Sequence, residues 1–138
     1  MKRLLALVFA VLAATGTGLN CKKTGDYTVL VDREDSMFVT KGGYTGFQSE
    51  LEAGDQLKAE FQVLEGGGPI DFLVLSDSAL ELWESNQEYD AVIEVSNSAG
   101  STKTGAVQTA GDYWIVASNR DDSTAARKVS YEVWRKKR

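Results

Sequence analysis

The sequence predicts an all-β domain, an antiparallel sandwich or barrel, and three observations predict it. Apolar and polar residues alternate with a period of two in the best-defined segments. Leu57, Ala59, Phe61 and Val63 alternate with Lys58, Glu60 and Gln62, and Val129, Tyr131 and Val133 alternate with Lys128, Ser130 and Glu132. Such alternation puts the apolar set on one face of a strand and the charges on the other. Glycine-rich turn signals recur at intervals of mostly about 10 to 14 residues, as expected of short strands joined by tight connections. A single segment, Ser78 to Glu84, carries a helical signature.

At the N-terminus, Lys2 and Arg3 precede an unbroken apolar run from Leu4 to Ala14 and then the small residues Thr15-Gly16-Thr17-Gly18. This is the layout of a secretory signal peptide, and residues 1–20 are expected to be a leader helix. The run has eleven residues. As a helix it would extend about 17 Å against about 30 Å of bilayer hydrocarbon, too short for a stable membrane span. The single cysteine, Cys21, follows the leader and is itself followed by Lys22 and Lys23. Its position resembles the lipidated cysteine of bacterial lipoproteins, which implies a mature N-terminus at Cys21 carrying acyl chains and a membrane as partner. The preceding Gly18-Leu19-Asn20 departs from the common lipobox of that family, which has leucine first and glycine or alanine last; asparagine in the last place is similar to the relaxed boxes of some bacterial lineages. Cleavage by ordinary signal peptidase after Gly16 or Gly18 is the alternative, and it leaves Cys21 as a reactive unpaired thiol. Residues 21–26 are polar and aperiodic and read as a tether to a domain over residues 27–138.

Nine strands follow in chain order, of which eight or nine are expected to persist. Tyr27–Val31, Met37–Lys41 and Gly46–Leu51 are separated by charged residues and by Gly42-Gly43. Leu57–Val63 comes next, between Ala53-Gly54-Asp55 and Gly66-Gly67-Gly68-Pro69. Ile70–Leu75 is apolar on both faces, which suits a central strand covered on both sides or covered on one side by a loop. Ser78 and Glu81 have capping-box spacing for a short helix, although Leu80 and Leu82 also fit the inward face of an edge strand. Ala91–Val95, Thr102–Thr109, the doubly apolar Tyr113–Ala117 and Val129–Val133 complete the series.

Composition excludes several chemistries. With no histidine and one cysteine there is no Ser-His-Asp or Cys-His machinery, no intrachain disulfide and no Cys/His zinc site. Loss of Lys2 and Arg3 with the leader leaves 13 basic against 20 acidic side chains, so the net charge moves from −5 to −7 and nucleic acid is not an expected partner. The basic end Arg135-Lys136-Lys137-Arg138 reads as a solvated tail. The glycine run before Pro69 lacks the lysine and the following helix of a phosphate loop.

Carboxylate pairs that would serve a hydrolase are Glu34-Asp35, Asp71 with Asp77, and Asp121-Asp122, but hydrolysis needs convergence in a cleft, and no catalytic residue is assigned. The domain is expected to be non-enzymatic. No cofactor is expected, except that Asn119, Asp121 and Asp122 supply hard oxygen ligands suited to calcium on a sandwich loop. Trp83 and Trp114, with Trp134, are candidates for an aromatic platform contacting a glycan or protein partner.

Four stretches carry a further resemblance: Leu51-Glu52-Ala53-Gly54-Asp55-Gln56-Leu57, Ile70-Asp71-Phe72-Leu73-Val74-Leu75, Ala110-Gly111-Asp112-Tyr113-Trp114-Ile115-Val116 and Tyr131-Glu132-Val133. Their succession, over about residues 44 to 134, resembles the bacterial pre-peptidase C-terminal domain and is similar to the GOLD (emp24-like) β-sandwich, whose frequent asparagine after the Tyr-aromatic strand matches Asn119. The paired cysteines of many GOLD domains are absent. The resemblance implies a single jelly-roll-like antiparallel β-sandwich that binds or spaces something outside the cytoplasm.

Overall fold

A computed structural model describes residues 27–66, 68–121 and 125–138, with residues 33–38 described through their backbone alone. The leader, Cys21, the tether, Gly67 and Asp122 lie outside the described residues. The elements are β1 (Tyr27–Val39), β2 (Tyr44–Leu51), β3 (Gln56–Glu65), β4 (Ile70–Ser76), α1 (Asp77–Glu84), β5 (Ile93–Ser98), β6 (Gly100–Ala106), β7 (Gly111–Ser118) and β8 (Arg127–Lys136). They form two antiparallel four-stranded sheets in the orders β1-β8-β3-β6 and β2-β7-β4-β5. This is a β-sandwich rather than a barrel, and its strand order is that of a jelly roll.

The alternating strands behave as expected. Leu57, Ala59 and Phe61 of β3 and Val129, Tyr131 and Val133 of β8 are buried between the sheets. From the facing sheet, Phe72 meets both: its ring stacks on Phe61 at 5.0 Å and stands edge-on to Tyr131 at 5.2 Å. The doubly apolar strands β4 and β7 are the two central strands of their sheet. Phe72, Val74, Ile115 and Ala117 face the core, while Leu73, Leu75 and Val116 face outward and are buried with Ala79 and Trp83 of α1. Each such side chain contributes about 1.5–3 kcal/mol by leaving water.

Three expectations change. Tyr27–Val31 and Met37–Lys41 belong to one strand, because β1 passes the charged stretch between them with register shifts at Val29/Val31 and Arg33/Met37. The segment after β4 is a helix and not an edge strand. Its cap is Ser76 rather than Ser78: the Ser76 hydroxyl accepts from the backbone N–H of Ala79 at 3.1 Å, and the helix begins one residue before Ser78. The turn before β3 shows why it reads Ala-Gly-Asp. Gly54 sits at φ +94°, where a side chain is strained, and the Asp55 carboxylate accepts from the Glu52 N–H at 2.9 Å.

Candidate ligand-binding face

The two outer faces of the sandwich differ. Helix α1 and the segment behind it seal the β2-β7-β4-β5 sheet, with Tyr44, Leu80, Tyr89, Ala91 and Trp114 packed around the buried group. No element covers the β1-β8-β3-β6 sheet among the described residues, and the polar members of its alternating strands line it.

Register places these residues in rows across the open sheet. Glu132 of β8 stands opposite Asp32 of β1 on one side and Glu60 of β3 on the other, and Glu60 stands opposite Thr102 of β6, whose hydroxyl donates to it at 3.4 Å. The register thus sets three carboxylates side by side across β1, β8 and β3. In the next row Val29, Trp134, Lys58 and Thr104 lie side by side. The Lys58 ammonium sits 5.0 Å from the centre of the Trp134 ring. Tyr27 opens the row beyond, beside Lys136, whose ammonium lies 5.8 Å from its ring. Glu60, Gln62, Gly100, Thr102, Ser130 and Glu132 border a groove of about 460 Å³ along this face. Trp134 follows Glu132 by two residues on the same strand face, about 7 Å farther along. The face thus offers an aromatic ring beside carboxylates, amides and hydroxyls, a combination that stacks on an apolar surface and accepts hydrogen bonds from its polar edges.

Of the residues singled out from sequence, Trp134 lies on this face and the others lie elsewhere. Trp83 is 8% exposed. Its ring meets Tyr44 edge-on at 5.0 Å and is capped by the Arg120 guanidinium at 4.3 Å. It is therefore a packing residue and not an exposed platform, because α1 turns it onto the sheet. Arg120 reinforces that contact by donating to the Trp83 carbonyl at 3.0 Å and to Asn86 Oδ1 at 3.2 Å. Trp114 is half-buried on the sealed side; its indole N–H donates to Asp77 at 2.5 Å and its ring lies against Gly46 of β2.

Asn119 is buried and ties loops together: its amide donates to the carbonyls of Ala125 at 2.7 Å and Thr40 at 3.3 Å, and its backbone N–H donates to Gly43 at 2.8 Å. Asp121, two residues farther along, is exposed. Asp71 and Asp77 do not converge, since β4 carries the chain about 17 Å from Asp71 to Ser76 before Asp77 opens α1. The carboxylate of Asp71 accepts from the Asn97 N–H at 2.7 Å. Burial raises its pKa, the Asn97 bond opposes the rise and the charge of Asp121 adds to it. Among the described residues, no three or more acidic, histidine or cysteine side chains group to hold a metal. No helix among them is long and apolar enough to cross a membrane.

The open-face residues Tyr27, Lys58, Glu60 and Glu132 escape a sequence reading because alternation marks them only as solvent-facing. Their grouping depends on which strands pair and in what register.

No protein-family model matches the sequence, and no curated protein does. Solved structures are similar in fold. The periplasmic inhibitor of g-type lysozyme PliG from Aeromonas hydrophila matches over 79% of this chain and 85% of its own, with 15% identity and a TM-score of 0.55. A Bacillus endospore appendage protein of disulfide-linked pili matches over 86% of this chain and 96% of its own, with 15% identity and a TM-score of 0.45. A family 29 carbohydrate-binding module matches over 82% of each chain, with 15% identity and a TM-score of 0.43. At 15% identity the likeness to the PliG structure is one of fold alone.

Proposed function

We propose that the protein is a non-enzymatic binding module of the bacterial cell envelope, anchored by acyl chains on Cys21, that takes a glycan on the open face of the β1-β8-β3-β6 sheet. The observation that carries the binding site is the contrast between the two outer faces. One is sealed by α1 with apolar side chains, and the other, uncovered among the described residues, carries Trp134 one row from Glu60, Glu132 and Thr102. A sugar ring has an apolar C–H face that stacks on indole and hydroxyls that donate to carboxylates. The leader layout and the position of Cys21 support an extracytoplasmic place for the domain. The motif resemblance to pre-peptidase C-terminal and GOLD domains supports a module whose role is to bind.

The test is a glycan array followed by titration of the best ligand against wild type and Trp134→Ala. Removal of an aromatic anchor is expected to weaken binding about tenfold or more, and Trp83→Phe, on the sealed side, is expected to leave it unchanged. Equal affinity in Trp134→Ala would remove the ligand from this face. Accumulation of a shortened glycan during the titration would sink the non-enzymatic reading.

A further inference from the structure

The rim at which β4 and β8 begin and β5 and β7 end lies away from the open face and carries a second concavity. Asp71, Asn97, Ser118, Asn119, Asp121 and Arg127 border a cavity of about 230 Å³ there. Asn119 is 3% exposed. Both protons of its amide nitrogen are directed at carbonyls, those of Ala125 and Thr40, which fixes which atom of the amide is oxygen. The oxygen, Oδ1, is buried and has no hydrogen-bond partner among the described residues. Buried acceptors are almost always paired, so an orphan oxygen on a residue that borders the cavity calls for a ligand. The same cavity is bordered by two carboxylates of like charge, and one of them, Asp71, has a single oxygen engaged by Asn97. Neither histidine nor cysteine borders it.

We propose that this rim cavity binds a calcium ion through the carboxylates of Asp71 and Asp121 and the Oδ1 of Asn119, with water completing the shell. Calcium takes six to eight oxygen ligands in flexible geometry and tolerates a site that mixes carboxylate, amide and water. Magnesium demands a near-ideal octahedron and fits such a set poorly. Arg127 limits the affinity. Its guanidinium donates to the carbonyls of Gly66 at 3.0 Å, Ala125 at 3.2 Å and Pro69 at 3.4 Å, so its donors are turned to the loops, but its charge remains on the wall. The expected dissociation constant is therefore that of extracellular calcium modules, about 10⁻⁴–10⁻³ M. Occupancy cancels the repulsion between Asp71 and Asp121 and ties the residues after β7 to the start of β4.

The experiment is a titration of chelator-treated protein with CaCl₂ by calorimetry, together with thermal melts in about 10 mM CaCl₂ or MgCl₂, a concentration about ten to a hundred times the expected dissociation constant. Wild type is expected to bind one calcium and to melt a few degrees higher with calcium than with magnesium. Asp121→Asn alters an exposed side chain and folds normally; it is expected to lose the calcium response and to weaken binding at least tenfold, and Asp71→Asn is expected to do the same. Absence of binding heat in wild type, an equal rise with magnesium, or full calcium binding by Asp121→Asn overturns the site.

Discussion

Trp83 exchanges exposure for contact: with its ring against Tyr44 and under Arg120, Trp83→Ala empties the space between α1 and the sheet. The expected loss of stability is about 3–5 kcal/mol, measured by urea unfolding. Trp134 has the same side chain on the open face, where truncation leaves no closed cavity, and the expected loss is below about 1 kcal/mol. A loss in Trp134→Ala as large as that in Trp83→Ala would make Trp134 a core residue and withdraw it from the binding face. Asp71 supplies a prediction of different sign. Burial, with help from Asp121, raises its pKa above the ordinary 3.8. The native state then holds this proton more tightly than the unfolded chain does, so the contribution to stability is present below pH 3.8 and is lost as pH rises through the raised value. Asp71→Asn keeps an oxygen for the Asn97 N–H and cannot ionise. In calcium-free buffer it is expected to be more stable than wild type at pH 7, and the difference is expected to vanish toward pH 3. A gap that stays constant across this range would show that ionisation of Asp71 is not its cause.

A cap and an apolar seam are among the contacts that hold helix α1, and both can be tested. Ser76→Ala removes the acceptor for the Ala79 N–H and is expected to cost about 1 kcal/mol. Because the helix covers Leu73 and Leu75, the change is expected to loosen the cover as well, read as increased binding of a hydrophobic dye with little change in strand content. A second element contact joins the sheets at β6. A Cβ added at Gly105 lies 2.2 Å from the Val92 carbonyl oxygen just before β5, so Gly105→Ala forces backbone apart and is expected to cost about 1–3 kcal/mol by urea unfolding. An unchanged midpoint would show that the corner yields freely. The alternation of Leu57 to Val63 and of Val129 to Val133 made β3 and β8 legible in the sequence, and the doubly apolar runs marked β4 and β7 as central. The cap was misplaced because Ser76 and Ser78 both precede the apolar run, and Ser78 has the better spacing to Glu81. The continuity of β1 was hidden by its charged middle, which breaks the apolar pattern and is in fact carried by irregular pairing to β8. The carboxylate row was illegible for a deeper reason. Asp32, Glu60 and Glu132 are far apart in the chain, and it is pairing of β8 with both β1 and β3 that makes them neighbours.

The whole molecule is a short column of strands, and the row containing Tyr27, Lys136 and Gln56 marks one of its ends. The groove residues Glu60 and Gln62 lie four and six positions along β3 from Gln56, about 13–20 Å up the column at the rise of a strand. The rim cavity lies at the opposite end, beside the start of β8. Cys21 stands six positions before Tyr27, and six residues span at most about 20 Å. If Cys21 carries acyl chains, the end with Tyr27 faces the membrane, the groove opens sideways above it and the rim cavity points away. A single acyl chain binds membranes only marginally, whereas two or more hold a protein there, so the anchor is expected to be all or none in a detergent-phase partition. Wild type expressed with its leader is expected in the detergent phase and Cys21→Ala in the aqueous phase, with equal affinity for the ligand of the open face because the tether takes no part in that site. Wild type already in the aqueous phase, at the mass of a chain cut after Gly16 or Gly18, would discard the anchor and leave the domain secreted. Reduced ligand affinity in an aqueous Cys21→Ala protein would instead show that the tether reaches the groove, which would return residues 21–26 to the binding site.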